Sequence, residues 1–199
     1  MPGLITTAQR HNTYRANKIA IRKALLESLG APARVLDLYC GEGILYDACY
    51  RDSVEEYQGV DKKWVHTESI CSLADNWTYL KQHDVKRFNF IDADAFGNGW
   101  LIAIEAARRI DAKRFALAIT DGSDVRTSIA RFDRGTMATM GIPRTMPFPA
   151  AKRWAEYARV YLIRALQDMA NCQVTRLLHA HNAGSTHYFG CLCERRHGS

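Results

Sequence analysis

No apolar run in this sequence approaches the length of a bilayer span, and Met1 to Arg10 hold no apolar segment of the kind a secretory signal needs. Neither membrane insertion nor secretion is therefore expected. Cys-x-x-Cys is missing although there are six cysteines, Cys40, Cys49, Cys71, Cys172, Cys191 and Cys193. Most of these fall inside apolar strand or helix patterns, where a thiol behaves as a small hydrophobe. Reducing, cytoplasmic surroundings and no zinc or other metal are the expectation. Internal repeats and low-complexity tracts are also lacking, which argues against a repeat architecture. Proline is sparse, and three of the five prolines (Pro143, Pro147 and Pro149) sit in one aperiodic stretch, which marks that stretch as a loop.

What is present fits one globular domain over residues 1–199. With 47% hydrophobic and 24% charged residues, the chain has enough apolar material for a full core. A net charge of +6 and a pI near 9.1 favour an anionic partner, although the basic residues are scattered.

The most informative stretch is Arg34-Val-Leu-Asp-Leu-Tyr-Cys-Gly-Glu-Gly43. Val35 to Leu38 reads as a buried strand, Gly41-Glu42-Gly43 as a tight turn, and Ile44 to Cys49 as the start of a helix. Glycine accepts φ > 0 and lets a ligand approach the backbone, and the helix start offers free N–H groups to an anionic part of that ligand. A dinucleotide fingerprint would place its third glycine at Tyr46, which argues against NAD. A second strand, Tyr57 to Val60, ends at Asp61, twenty positions after Gly41. An acid there in a βαβ unit suits a ribose diol, because one carboxylate accepts two hydroxyl hydrogen bonds; an ordinary exposed acid is the alternative.

Around this stretch the chain alternates strands and helices. Asn12 or Thr13 caps a helix over Tyr14–Leu29, with Ile21, Ala24, Leu25 and Leu29 on one face and Arg15, Lys18, Arg22 and Lys23 on the other. Ser69–Cys71 reads as a short strand, followed by a loop at Ala74-Asp75-Asn76 and a short helix over Trp77–Gln82. The aromatic run from Phe88 ends in Asp92-Ala-Asp94-Ala-Phe96-Gly97 and precedes a helix over Trp100–Ile110. Two acids, an aromatic and a glycine at a strand end suit a flat polar group, and a solvated turn is the rival reading. Phe115–Ile119 reads as a buried parallel strand ending in Thr120-Asp121-Gly122. Residues 123–150 form a long loop carrying Arg126, Arg131, Arg134 and Arg144; Ala151–Ala170 is a helix; Val174–Ala180 and Tyr188–Cys193 form a hairpin. His179, His181 and His187 cluster on that hairpin, but no cysteine or acid nearby completes a tetrahedral metal set.

The alternation, the terminal hairpin and the turn Asp37-x-x-x-Gly41-x-Gly43 with Asp61 resemble class I S-adenosylmethionine-dependent methyltransferases over nearly the whole chain. The resemblance implies a three-layer α/β, Rossmann-like fold with a mostly parallel seven-stranded sheet and an antiparallel last strand. It also implies S-adenosyl-L-methionine as cofactor, the turn Tyr39-Cys40-Gly41-Glu42-Gly43 lying against the methionine part and Asp61 against the ribose. Asp75 matches the position that contacts the adenine amino group, and Asp37, Lys62 and Asp92 join the cofactor set. Phe90 to Gly97, Ala118-Ile-Thr-Asp121, Leu177-Leu-His-Ala-His-Asn and Thr186-His-Tyr188 further resemble the catalytic half of tRNA guanine-N2 dimethyltransferases. Those enzymes have Asp-Pro-Phe-Gly where this chain has Asp94-Ala95-Phe96-Gly97, and the large C-terminal tRNA-binding domain that they carry is not expected within residues 1–199.

The expected reaction is methylation of an exocyclic amine of a nucleic-acid base, RNA being favoured over DNA. Within Asp94-Ala95-Phe96-Gly97, Asp94 and the Ala95 backbone accept hydrogen bonds from the amine and Phe96 stacks on the ring; Asp121 lines the base pocket, or caps the next segment as an ordinary strand-end acid, and the four loop arginines hold phosphates. The arginines are equally consistent with a solvated loop paired to Asp121, Asp124 and Asp133. A small-molecule or protein methyltransferase and a non-catalytic cofactor-binding adaptor of the same fold stand as alternatives, and the sequence leaves the oligomeric state open.

Overall fold

The computed structural model describes residues 7–63, 70–122, 148–181 and 186–196, with side chains described from Arg15 in the first helix and from Ala158 in the last. Helix α1 spans Thr7–Leu29. It starts seven residues earlier than the periodicity predicts, so Asn12 and Thr13 are helix-interior residues and not caps. Neither proline nor glycine interrupts 7–13, and residues of middling helix propensity extend a helix that is already nucleated. Ile21, Leu25 and Leu29 are buried as expected, but so is Arg22 on the face read as polar.

Strand β1 covers Arg34–Asp37. Leu38 N still donates to Asp92 O at 2.9 Å, and just past it the Asp37 side chain captures the Tyr39 N–H (3.1 Å), a local bond that competes with the ladder. After the glycine turn the expected helix forms, opening with an α-type bond from Asp47 N to Gly43 O at 3.0 Å. Tyr46–Tyr50 adopts π-helical geometry, closed by Arg51 N donating to Tyr46 O at 2.9 Å. Strand β2 is Glu56–Asp61 and β3 is Cys71–Leu73, two residues later than predicted. Helix α2, Asn76–Gln82, is capped by the Asp75 side chain, which accepts from Thr78 N.

Strand β4 is Phe90–Ala93, α3 is Trp100–Arg109 and β5 is Arg114–Asp121. Helix α4, Phe148–Met169, begins inside the stretch read as a loop through residue 150. Pro149 is compatible with that start, because a proline in the first turn removes an N–H that has no intrahelical partner. Strands β6, Cys172–His181, and β7, His187–Arg195, form the predicted antiparallel hairpin, each longer than its apolar pattern suggested.

The seven strands lie in the order β3-β2-β1-β4-β5-β7-β6. Pairing from β3 through β5 is parallel, and β7 runs antiparallel to both β5 and β6. Side chains alternate between two buried faces, which is why β5 reads as a continuous apolar run. Ala116 and Ala118 face the layer containing Ile21, Leu25 and Tyr50, whereas Phe115, Leu117 and Ile119 face the layer containing Trp100, Leu162 and Leu166. The sequence order reverses between β1 and β4. Open α/β sheets take ligands at such a crevice, beyond the carboxyl ends of the strands.

Candidate active site

The carboxyl ends of β1, β2, β4 and β5 deliver Asp37, Asp61, Asp92 with Asp94, and Asp121 to one edge of the sheet. At the glycine turn, Gly41 and Gly43 have φ of 51° and 78°, in the left-handed region that favours glycine. Asp61 Oδ2 accepts from Gly41 N at 3.3 Å, while its Oδ1 accepts from Lys63 N at 2.8 Å. Asp61 is half-buried, with exposed Glu42 and Lys62 nearby in the chain. An extra methyl group on Gly41 would find only Tyr39 O, 3.9 Å away, so the backbone here borders open space. A carboxylate and a bare glycine backbone on one open rim fit the sugar and the chain of a nucleoside cofactor. Tyr39 is hydrogen-bonded to Asn76; burial pushes its hydroxyl above the ordinary tyrosine value. Asp75 is exposed at the start of α2, one strand further out than Asp61.

Two acids of the expected cofactor set are buried beneath this rim. Asp37 and Asp92 are partners in the β1–β4 register. Asp37 accepts from the Tyr57 hydroxyl at 2.9 Å as well as from Tyr39 N. Burial, reinforced by the charge of Asp92, holds its carboxyl well above the usual carboxylate range. Asp92 receives a two-pronged bond from Arg22, Nε to Oδ2 at 2.6 Å and Nη2 to Oδ1 at 2.5 Å, and a third from the Tyr50 hydroxyl at 2.6 Å. Both its oxygens are thus engaged from the α1 side.

Asp94 sits just past β4 and is half-buried. Lys18 Nζ lies 2.7 Å from Oδ2, and the Thr120 hydroxyl donates to Oδ1. Burial works to raise this carboxyl, but Lys18, Arg22 and the two hydrogen bonds bring it below the ordinary aspartate value. Ala95 is buried, and its carbonyl accepts from Gly97 N at 2.9 Å. Gly97 O in turn accepts from Gly122 N, tying the Asp94–Gly97 turn to the end of β5. This turn leaves Phe96 97% exposed. Asp121 is fully buried, with Arg159 Nε of α4 donating to it at 3.3 Å.

Lys18, Arg22, Tyr50, Tyr57 and Thr120 were not among the expected site residues. The signal was partial: an acid at position 92 inside a fully apolar strand demands a cation, and Lys18 and Arg22 are spaced to reach one side of a helix. Arg126, Arg131, Arg134 and Arg144 lie outside the described residues. On the hairpin, His179 Nε2 and His187 Nδ1 are 2.9 Å apart. Among the described residues no group of three or more histidines, cysteines and acids is placed to hold a metal, and no helix is long and apolar enough to cross a membrane. All six cysteines are buried free thiols.

No protein-family model matches the sequence, and no curated protein is similar to it by sequence. Solved structures are similar in fold. The magnesium protoporphyrin IX methyltransferase ChlM from Synechocystis PCC 6803 with bound SAM superposes with a TM-score of 0.55 at 11% identity, covering 98% of this chain and 87% of that one. The N-methyltransferase NodS from Bradyrhizobium japonicum WM9 in complex with S-adenosyl-l-homocysteine gives 0.55 at 12% identity, covering 92% and 87%. This is the class I methyltransferase fold. Trm1 from Pyrococcus horikoshii with S-adenosyl-L-methionine shares the methyltransferase fold with a TM-score of 0.52 at 16% identity; the alignment covers 92% of this chain but 55% of that one. These neighbours agree with the expected seven-stranded architecture, including the antiparallel β7.

Proposed function

We propose that the protein is an S-adenosylmethionine-dependent methyltransferase acting on an amine nitrogen, with the exocyclic amine of an RNA base as acceptor. The observation that carries this reading is the Asp94–Gly97 turn. It stands at the carboxyl end of β4, beside the switch point of the sheet, with an ionised acceptor and a fully exposed aromatic ring side by side. The cofactor relatives' contents, SAM or S-adenosylhomocysteine in three methyltransferase folds, support the choice of cofactor.

Gly41, Gly43 and Asp61 hold the cofactor, the acid on the ribose and the bare turn against the amino-acid chain, with Asp75 toward the adenine. When bound, S-adenosylmethionine would supply an electrophilic methyl carbon to the acceptor lone pair, the electrons of its C–S bond staying with sulfur. The protein's work is alignment. Asp94 accepts a hydrogen bond from the amine and aims its lone pair; Phe96 covers a face of the ring, as an exposed aromatic does for an unstacked base. The proton released after transfer goes to water, since a carboxyl held below its ordinary value is a poor base.

Incubation with labelled S-adenosylmethionine and separate pools of tRNA, ribosomal RNA, DNA and protein tests the reading. Label in an RNA pool, falling steeply with added salt, is the expected result. Label confined to protein sinks the nucleic-acid acceptor, label confined to DNA sinks the RNA base, and tight cofactor binding without transfer to any pool favours an adaptor.

A further inference from the structure

The cation on Asp94 comes from the protein itself. Lys18 Nζ lies 2.7 Å from Oδ2 and 5.8 Å from the centroid of the Tyr188 ring, and Thr120 donates to the other carboxylate oxygen. Lys18 is held there by the next turn of α1, where Arg22 Nη1 donates to the Lys18 carbonyl at 3.0 Å while its fork grips Asp92. Among the described residues, Asp94 meets Lys18 and Arg22 from α1 and follows Asp92 of β4, whose own neighbours are the Tyr50 hydroxyl and the buried Asp37; the Lys18 ammonium lies over the Tyr188 ring of β7, and Asp121, next to Thr120, has its own cation in Arg159 of α4. Among the described residues two carboxylates, Asp92 and Asp94, thus face two cations, Arg22 and Lys18, in a largely buried cluster, the neighbouring Asp37 carboxyl being held toward its neutral form.

From this balance we infer that Lys18 is a specificity-determining residue: it neutralises Asp94 in advance and so restricts the acceptor to neutral, conjugated amines while turning away aliphatic ammonium groups. The inference rests on the methyltransferase reading above and narrows its substrate class. Each Asp94 oxygen has one donor in place and lone-pair capacity left, enough for an N–H of a neutral amine. An ammonium would add a third positive charge to a cluster of low polarisability that already balances, and like charges at contact distance repel strongly there. It also arrives without a lone pair, and the depressed Asp94 carboxyl is poorly suited to remove its proton. A base amine conjugated with its ring is neutral at physiological pH and needs no such step.

The test compares wild type, Lys18→Gln and Lys18→Arg, following the Asp94 carboxyl by carbon-13 NMR during a pH titration and during addition of methylammonium chloride or guanosine. In Lys18→Gln the Asp94 pKa should rise and methylammonium should bind about tenfold or more tighter than to wild type, with guanosine little changed. Lys18→Arg should restore both properties, which a residue needed only for folding would not predict. The inference is overturned if Lys18→Gln leaves the Asp94 titration and the methylammonium affinity as in wild type, or if the wild-type protein methylates aliphatic amines as readily as base amines. Absence of methyl transfer by the wild type to every pool would instead defeat the methyltransferase reading, a result distinguishable from the NMR titrations, which read the charge balance at Asp94 alone.

Discussion

Arg22 and Asp92, seventy positions apart in the chain, form a two-pronged ion pair in which the arginine side chain is 2% exposed and the carboxylate 0%. The pair pins α1 to the strand that carries Asp94. Removing one member strands the other in the core. Arg22→Met should therefore cost on the order of 3–5 kcal/mol in urea unfolding, and the double variant with Asp92→Asn should recover part of that loss. Equal stability of Arg22→Met and wild type would contradict the picture. Lysine is a poor replacement because a single ammonium cannot reproduce the fork.

Asp37 gives a pH signature of definite sign. Burial and Asp92 hold its folded carboxyl well above the usual range, so the native state binds its proton more tightly than the unfolded chain. Its contribution to stability is complete below about pH 3.9, the ordinary aspartate value, and is lost as the pH rises through the folded-state value. Asp37→Asn should flatten that decline in urea midpoints measured between about pH 4 and pH 8, and stay within about 1 kcal/mol of wild type at neutrality. A variant with an undiminished decline would show that another group titrates.

Asp61 separates cofactor binding from folding. It is half-buried at the rim, and its removal costs the hydrogen bonds from Gly41 N and Lys63 N. Asp61→Ala should weaken S-adenosylhomocysteine binding by roughly 1.5–3 kcal/mol in isothermal titration, the range for hydrogen bonds to a charged group. Unchanged affinity would remove Asp61 from the ribose.

Phe96 is a test of function against packing. A side chain 97% exposed contributes little to the core, so Phe96→Ala should change stability by less than about 0.5 kcal/mol. If the ring stacks on an acceptor base, the same variant raises the KM for that acceptor by roughly 1–3 kcal/mol equivalent in steady-state assays. A silent variant in both measurements would leave the exposed ring without a role in acceptor binding.

Gly99 supports the turn from behind. A Cβ at this position would fall 2.4 Å from the Ala93 carbonyl oxygen and 3.1 Å from that of Thr120, both backbone atoms that cannot step aside. Gly99→Ala should destabilise the fold by about 1–3 kcal/mol and lower methyl transfer by shifting the Asp94–Gly97 turn; both are read from denaturation and from the labelled-cofactor assay. Wild-type values for both would mean that β4 and β5 separate freely there.

Much of the architecture was legible because it depends on local periodicity. The apolar runs at Val35, Phe90 and Phe115, the glycines at 41 and 43 and the helix at Trp100 each declare themselves within a few residues. The sequence by itself thus determined the parallel α/β layout, the glycine turn with an acid twenty positions on, and the acidic turn ending in Phe96 and Gly97. Only the tertiary structure decided which acids are available to a ligand. Asp37 and Asp92 look no different in sequence from Asp61 and Asp94, yet register places the first two side by side in the core, where they are consumed by Tyr57, Tyr50 and Arg22. Lys18 likewise reads as a surface cation of an amphipathic helix and becomes the partner of Asp94 only once α1 packs across the sheet. These pairings span 20 to 76 positions, and the desolvation that gives them their energy exists only when the layers have closed.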